Sequence, residues 1–194
     1  FDMSSVIWTC LLVGKDPEAL KVIHEDKAVS VNTAAWGYEN AVNSMLSTMK
    51  RVGVQPIDCM LVFEGTSSKA RRLMIDKDYK GGRDSRPPEA YVEFQKTRDK
   101  LEAVWRSIGA LSVRQDLAEG DDTLAWLAAN TREDLIVSSN DWDIAALHRD
   151  PGVLNEHGAQ VVVWVNGAEA YNKYGGFDCK HISLYKALVG DSSD

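Results

Sequence analysis

The stretch "DLIVSSNDWDIAAL", residues 134–147, decides how this chain is read. "LIVSS" is a short apolar run bounded by polar residues, the pattern of a buried strand. Asp141 and Asp143 follow it, one residue apart, where the strand ends. Like charges so close repel each other and are driven toward protonation unless something offsets them.

Working outward, "AQVVVWV" (159–165) reads as a second strand and "ALSVRQ" (110–115) as a third. "EGDDTLAWLAANT" (119–131) opens a helix with Asp121 and Asp122 in its first turn, where the helix dipole favours acids. "IDCMLVFE" (57–64) is a strand candidate, and "FDMSSVIW" at the start reads as another. Residues 35–52 place Ala41, Val42, Met45, Leu46 and Met49 at helical spacing, with Gly53 as the stop. Pro87 and Pro88 precede a long helix over about 89–109, and "ISLYKALVG" (182–190) reads as a last helix. Helices alternating with short apolar strands predict an α/β fold: a mostly parallel central sheet flanked by helices.

The 194 residues are 44% hydrophobic and 26% charged, ordinary for a globular chain able to bury a sizeable core. No apolar window reaches the length of a membrane span, so no membrane partner is expected. Cys10, Cys59 and Cys179 are odd in number and have no CxxC spacing, which argues against disulfides and zinc. A reducing, cytoplasmic setting follows as the expectation.

The net charge of -7, taken alone, argues against nucleic acid. Its distribution argues otherwise. "KARRLMIDKDYKGGRDSR" (69–86) holds seven Lys or Arg against three Asp, a local +4 that leaves -11 for the rest. Charge runs are most often solvated faces. Here, however, Lys80 and Arg83 lie three apart, on one side of a turn if the segment is helical, and Tyr79 beside them offers a ring for base stacking.

Ligands of open α/β sheets bind beyond the carboxyl ends of the strands. Asp2, Glu64, Glu119, Asp121, Asp122, Asp141, Asp143, Asp191 and Asp194 are nine carboxylates from five segments, most of them brought to one rim by a parallel sheet. Any one alone is most often a turn or cap residue. Together they need counter-charge. All-oxygen ligation suits Mg²⁺, with Mn²⁺ as a substitute, and the number of acids suits two ions.

The chain resembles the 5′-nuclease family: flap endonucleases, phage 5′–3′ exonucleases and phage ribonuclease H, and the 5′-exonuclease domain of bacterial DNA polymerase I. "FDMSSVIW" resembles the family's opening strand with its first metal-binding Asp. "NTAAWGYENAVNSML" resembles its first long helix. "ARRLMIDKDYKGGRDSRP" is similar to its arginine followed by Tyr-Lys-x-x-Arg and proline. "AEGDDTLAWLA", "SSNDWDIAAL" and "LVGDSSD" are similar to its Glu-x-Asp-Asp, Ser-x-Asp-x-Asp and Gly-Asp-x-x-Asp motifs. In departure from the pattern, Glu64 stands for a usual Asp, Met3 for Gly, Trp142 for Lys and Ala146 for Gln.

The resemblance implies one PIN-like 5′-nuclease catalytic domain over 1–194, with 69–86 as its arch or clamp, and a helix–hairpin–helix beyond Asp194. It implies a two-metal phosphodiesterase, 5′–3′ exonuclease or flap endonuclease, of replication or repair in a bacterial or phage-infected cell. Its substrates would be DNA with a 5′ single-stranded end or flap, and RNA–DNA hybrids, and its partners replisome proteins. Asp2, Glu64, Glu119 and Asp121 would hold one ion. Asp141, Asp143 and Asp191 would hold the other, with Asp122 and Asp194 outside them. Lys80 and Arg83 would lean on the phosphate, and Lys69, Arg72, Tyr79 and Arg86 would bind DNA. A PIN-like ribonuclease and a non-catalytic binder of branched DNA are the alternative readings.

Overall fold

The computed structural model of the chain describes residues 1–79, 86–165 and 168–170. In chain order these form α1 (Met3–Leu12), β1 (Leu20–His24), β2 (Lys27–Val31), α2 (Ala34–Val52), β3 (Met60–Phe63), α3 (Ser68–Ile75), α4 (Pro88–Ser107), β4 (Leu111–Arg114), α5 (Gly120–Asn130), β5 (Leu135–Ser139), β6 (Val161–Val165) and β7 (Ala168–Glu169). This is the mixed α/β class expected, parallel strands included. The helix expected over 182–190 lies outside the described residues. The chain divides into two compact units. One is Phe1, Met3–Leu61 and Asp84–Val113; the other is Asp2, Val62–Arg83 and Arg114–Asp194.

In the first unit α1, α2 and α4 pack on one another. α2 begins where oxygen acceptors meet its first amides. Thr33 Oγ1 accepts from Trp36 N–H at 3.3 Å, and Glu93 Oε2 of α4 accepts from Ala34 N–H at 2.6 Å. Such acceptors satisfy donors that a helix start leaves without an internal partner. It ends at Gly53, whose φ of 77° is the left-handed cap conformation. The expected apolar stripe needs one correction. Ala41, Met45 and Met49 are buried, whereas Leu46 is 48% exposed, because it lies one position off the face that Gly37, Ala41 and Met45 present to the core.

One further reading is corrected, and one element was not anticipated. "FDMSSVIW" is not a strand: only Asp2 makes a bridge, and Met3 onward is helical. Met3, Val6, Ile7 and Leu11 bury one face at helical spacing, which overrides the β preference of its branched and aromatic residues. Residues 20–31 form an antiparallel hairpin that sequence reading did not anticipate. Its turn residues, Glu25 and Asp26, adopt φ of 49° and 60° without the Asn-Gly or Asp-Gly signature such turns usually carry.

In the second unit β5 and β6 are parallel, in register from Leu135↔Val161 to Ser139↔Val165, and β7 adds antiparallel to β6. Val161, Val163 and Val165 are fully buried, and the residues between them are half-buried, so the strand is covered on both faces. Asp2 is stitched into this sheet. It bridges Val62 in parallel, and its N–H donates to Ser138 O at 2.9 Å. Residue 2 is thereby fixed between the ends of β3 and β5.

Cys59 is buried, and burial pushes the half-buried Cys10 thiol up to about 11, so both behave as core side chains. Cys179 lies outside the described residues. No described helix is long and apolar enough to cross a membrane.

Candidate functional site

The site grows from Asp2. Asp2 is 3% exposed, and its Oδ2 accepts from Ser139 Oγ at 2.6 Å. Ser139 Oγ in turn accepts from Asp141 N–H at 2.9 Å. One hydroxyl therefore joins the chain's second residue to the end of β5. Asp141 Oδ1 accepts from Asp143 N–H at 2.9 Å, which starts the short 3-10 turn Asp143–Leu147. Asp141 thus has a local turn-forming contact as well as its place beside Ser139.

Asp2 Oδ1 faces the first turn of α5, 3.9 Å from where a Cβ on Gly120 would stand. That turn is closed by a capping box: Glu119 N–H donates to Asp122 Oδ2 at 3.1 Å, and the Glu119 side chain accepts from the Asp122 amide. Glu119 is 7% exposed. The helix start is docked against the end of β3. Gly65 N–H donates to Ala118 O at 2.9 Å, and a Cβ on Gly65 would fall 2.1 Å from Gln115 O. Only glycine permits that approach, and the residue before it is Glu64. Arg71 Nη1 also donates to Leu117 O at 3.2 Å, and Thr66 Oγ1 bonds Asp116.

α3 and the residues after it reach the same turn. Arg72 Nη2 lies 2.6 Å from Asp122 Oδ1, and its Nε 3.7 Å from Glu119 Oε2. Tyr79 OH donates to Glu119 Oε2 at 2.6 Å, and the Arg72 guanidinium carbon is 5.8 Å from the Tyr79 ring centre. Burial alone would lower the Arg72 pKa; the charges of Asp122 and Glu119 outweigh it and raise the pKa above its ordinary value.

Asp2, Gly120, Ser139 and Asp141 are thus neighbours, Glu119 precedes Gly120 in the same turn, and Glu64 is an exposed residue between β3 and Gly65. Asp121 lies in the same helix turn and Asp143 at the start of the 3-10 turn. Lys69 is an exposed residue of α3. Arg86 belongs to the first unit, where its guanidinium lies 4.0 Å over the Trp8 ring, itself stacked on Phe94 at 4.5 Å. Lys80, Arg83, Asp191 and Asp194 lie outside the described residues. Sequence reading included Ser139 in the Ser-x-Asp-x-Asp pattern but gave it no role, and it missed Gly65. A hydroxyl before the paired acids and a glycine at a strand end were the available signals. It also gave Arg72 to DNA without seeing that its ion pairs here are to acids.

The donors are carboxylates, two of them deeply buried, without cysteine or histidine among them; that set fits a hard divalent cation. Among the described residues, no three His, Cys, Asp or Glu side chains converge to hold a metal as they stand.

The family model described as "5'-3' exonuclease, N-terminal resolvase-like domain" matches residues 19–175, leaving Asp2, Asp191 and Asp194 outside the match. The chain is 29% identical over 181 residues to DNA polymerase I of Bacillus subtilis (strain 168), covering 91% of this chain and 19% of that protein. It is 30% identical over 132 residues to DNA polymerase I of Geobacillus stearothermophilus, covering 66% and 14%. To the 5'-3' exonuclease of Buchnera aphidicola subsp. Schizaphis graminum (strain Sg) it is 28% identical over 159 residues, covering 79% and 53%. The chain therefore spans about a fifth of the length of the B. subtilis polymerase it matches.

Proposed function

Because the chain belongs to the 5′–3′ exonuclease, N-terminal resolvase-like domain family, we propose that it is a divalent-metal-dependent nuclease acting on DNA near 5′ ends, at flaps, nicks or branches. The observation that carries this reading is Asp2, buried, held by Ser139 and facing the acidic first turn of α5. A buried carboxylate beside further acids is costly unless a cation offsets it. In this reading residues 1–194 form one catalytic domain, with the basic segment 69–86 gathering the 5′ strand.

Asp2, Glu64, Glu119 and Asp121 would hold one Mg²⁺, and Asp141, Asp143 and Asp191 a second, with Asp122 and Asp194 around them. Such a pair, when bound, supplies an activated water and a charge partner for the leaving oxygen. The chain's own residues do the rest. Ser139 fixes the orientation of Asp2 by donating to one oxygen. The capping box fixes the backbone that presents Glu119 and Asp122. Lys80 and Arg83 offset the charge that develops on the phosphate.

The test uses a 5′-flap duplex labelled at both ends, with Mg²⁺ or with EDTA, and products sized on a denaturing gel. Mg²⁺-dependent cuts at the flap junction or stepwise from the 5′ end are expected, and Asp141→Asn is expected to lower the rate by about 100-fold or more. An RNA–DNA hybrid in a parallel lane tests the wider substrate range. Binding without cleavage under Mg²⁺ and Mn²⁺ would make the protein a branched-DNA binder.

A further inference from the structure

We infer that Arg72 and Tyr79 form a latch that must let go of Glu119 and Asp122 before a divalent cation can settle there. The inference rests on the metal reading proposed above. Its basis is geometric. Asp122 Oδ1 spends its charge on Arg72 Nη2 at 2.6 Å, and Glu119 Oε2 takes the Tyr79 hydroxyl at 2.6 Å with Arg72 Nε at 3.7 Å. The guanidinium thus pairs with both carboxylates across the first turn of α5, and the phenol caps the more buried one. The contacts are charge-assisted and partly buried, the strong end of the hydrogen-bond range.

They also hold Glu119 and Asp122 in the arrangement in which no three described acids converge. The α5 turn is docked where a cation could be held, beside Asp2, but two of its side chains are drawn toward α3. Arg72 is a monovalent stand-in for the divalent charge. Two positive centres cannot share Glu119 Oε2 at close range without large repulsion. So Arg72 yields as the cation binds, and the released guanidinium becomes available to a phosphate oxygen. By linkage, a phosphate that draws Arg72 away would equally favour cation binding.

The test is Mn²⁺ titration of the full chain by calorimetry without nucleic acid, comparing wild type with Arg72→Gln, Arg72→Lys and Tyr79→Phe. Far-ultraviolet circular dichroism checks the fold. Removing a competitor should tighten binding, so Arg72→Gln is expected to lower the Mn²⁺ dissociation constant by about threefold or more. Arg72→Lys, which keeps a cation in reach, should stay near wild type. Tyr79→Phe removes one hydroxyl from the same carboxylate, should tighten binding too, and stands in if Arg72→Gln does not fold. Affinities that are unchanged or weaker in Arg72→Gln or Tyr79→Phe would show that the pair supports the acids rather than competes for them, and would overturn the latch alone. No Mn²⁺ uptake by any of the four proteins would overturn both the latch and the metal reading.

Discussion

Gly65 carries more of the site than its size suggests. A methyl group there would stand 2.1 Å from Gln115 O and 3.0 Å from Ala118 O, both backbone atoms that cannot swing aside as a side chain can. Gly65→Ala is therefore expected to destabilise the protein by about 1–3 kcal/mol, read from the urea midpoint, and to reduce cleavage beyond that, because the loop presenting Glu119 has to move. A wild-type midpoint would mean the loop is not seated on β3 as described. Single residues were legible in sequence to the extent that their chemistry was local. Asp2, Glu119 and Asp141 announce themselves as acids at element ends. Arg72 did not announce its partners, because its ion pairs to Glu119 and Asp122 join residues about fifty positions apart, and composition does not encode that distance.

Among the elements, α2, α4, α5, β5 and β6 were readable because each combines a clear period with a visible boundary signal: Gly53, Pro87 and Pro88, the acidic turn, the run of valines. α1 was misread, since its branched and aromatic residues mimic a strand and only packing against α2 and α4 settles the matter. The hairpin was missed because its turn uses two acidic residues at positive φ. β6 carries a prediction of its own. His148 Nδ1 accepts from Val163 N–H at 3.1 Å, clipping the strand with a neutral imidazole. Burial pushes the His148 pKa below the ordinary 6.5, against the opposing pull of Glu169 and Asp150. A pKa lower in the folded than in the unfolded state means the unfolded chain binds the proton first. This contribution to stability is therefore complete above pH 6.5 and is lost as pH falls below it, levelling off once the folded pKa is passed. Urea midpoints measured from pH 7.5 to 5 should fall along that course for wild type, and the drop should be smaller in His148→Gln. Equal pH courses in the two proteins would remove His148 as the cause.

For the whole molecule, the separation of charge matters more than the total of -7. DNA affinity is expected to fall with salt through the basic segment, since each phosphate that a lysine or arginine neutralises releases counter-ions. Lys69 and Lys77 are both exposed. Replacing the two with alanine should reduce the slope of log affinity against log salt by roughly 0.7 for each single-strand phosphate no longer neutralised, as measured by fluorescence anisotropy with a 5′-overhang duplex. An unchanged slope would place the strand elsewhere. There is also a temporal side to the geometry around Asp2. The hydroxyl that orients it comes from Ser139, 137 positions later. During synthesis this acid leaves the ribosome well ahead of β5 and takes its final orientation only when that strand has followed it out. A chain interrupted before that point already holds every residue of the first unit, yet it has no means of assembling this acidic site. In the proposed metal-dependent reading, cleavage would thus be withheld from the unfinished polypeptide by the order in which its parts are made.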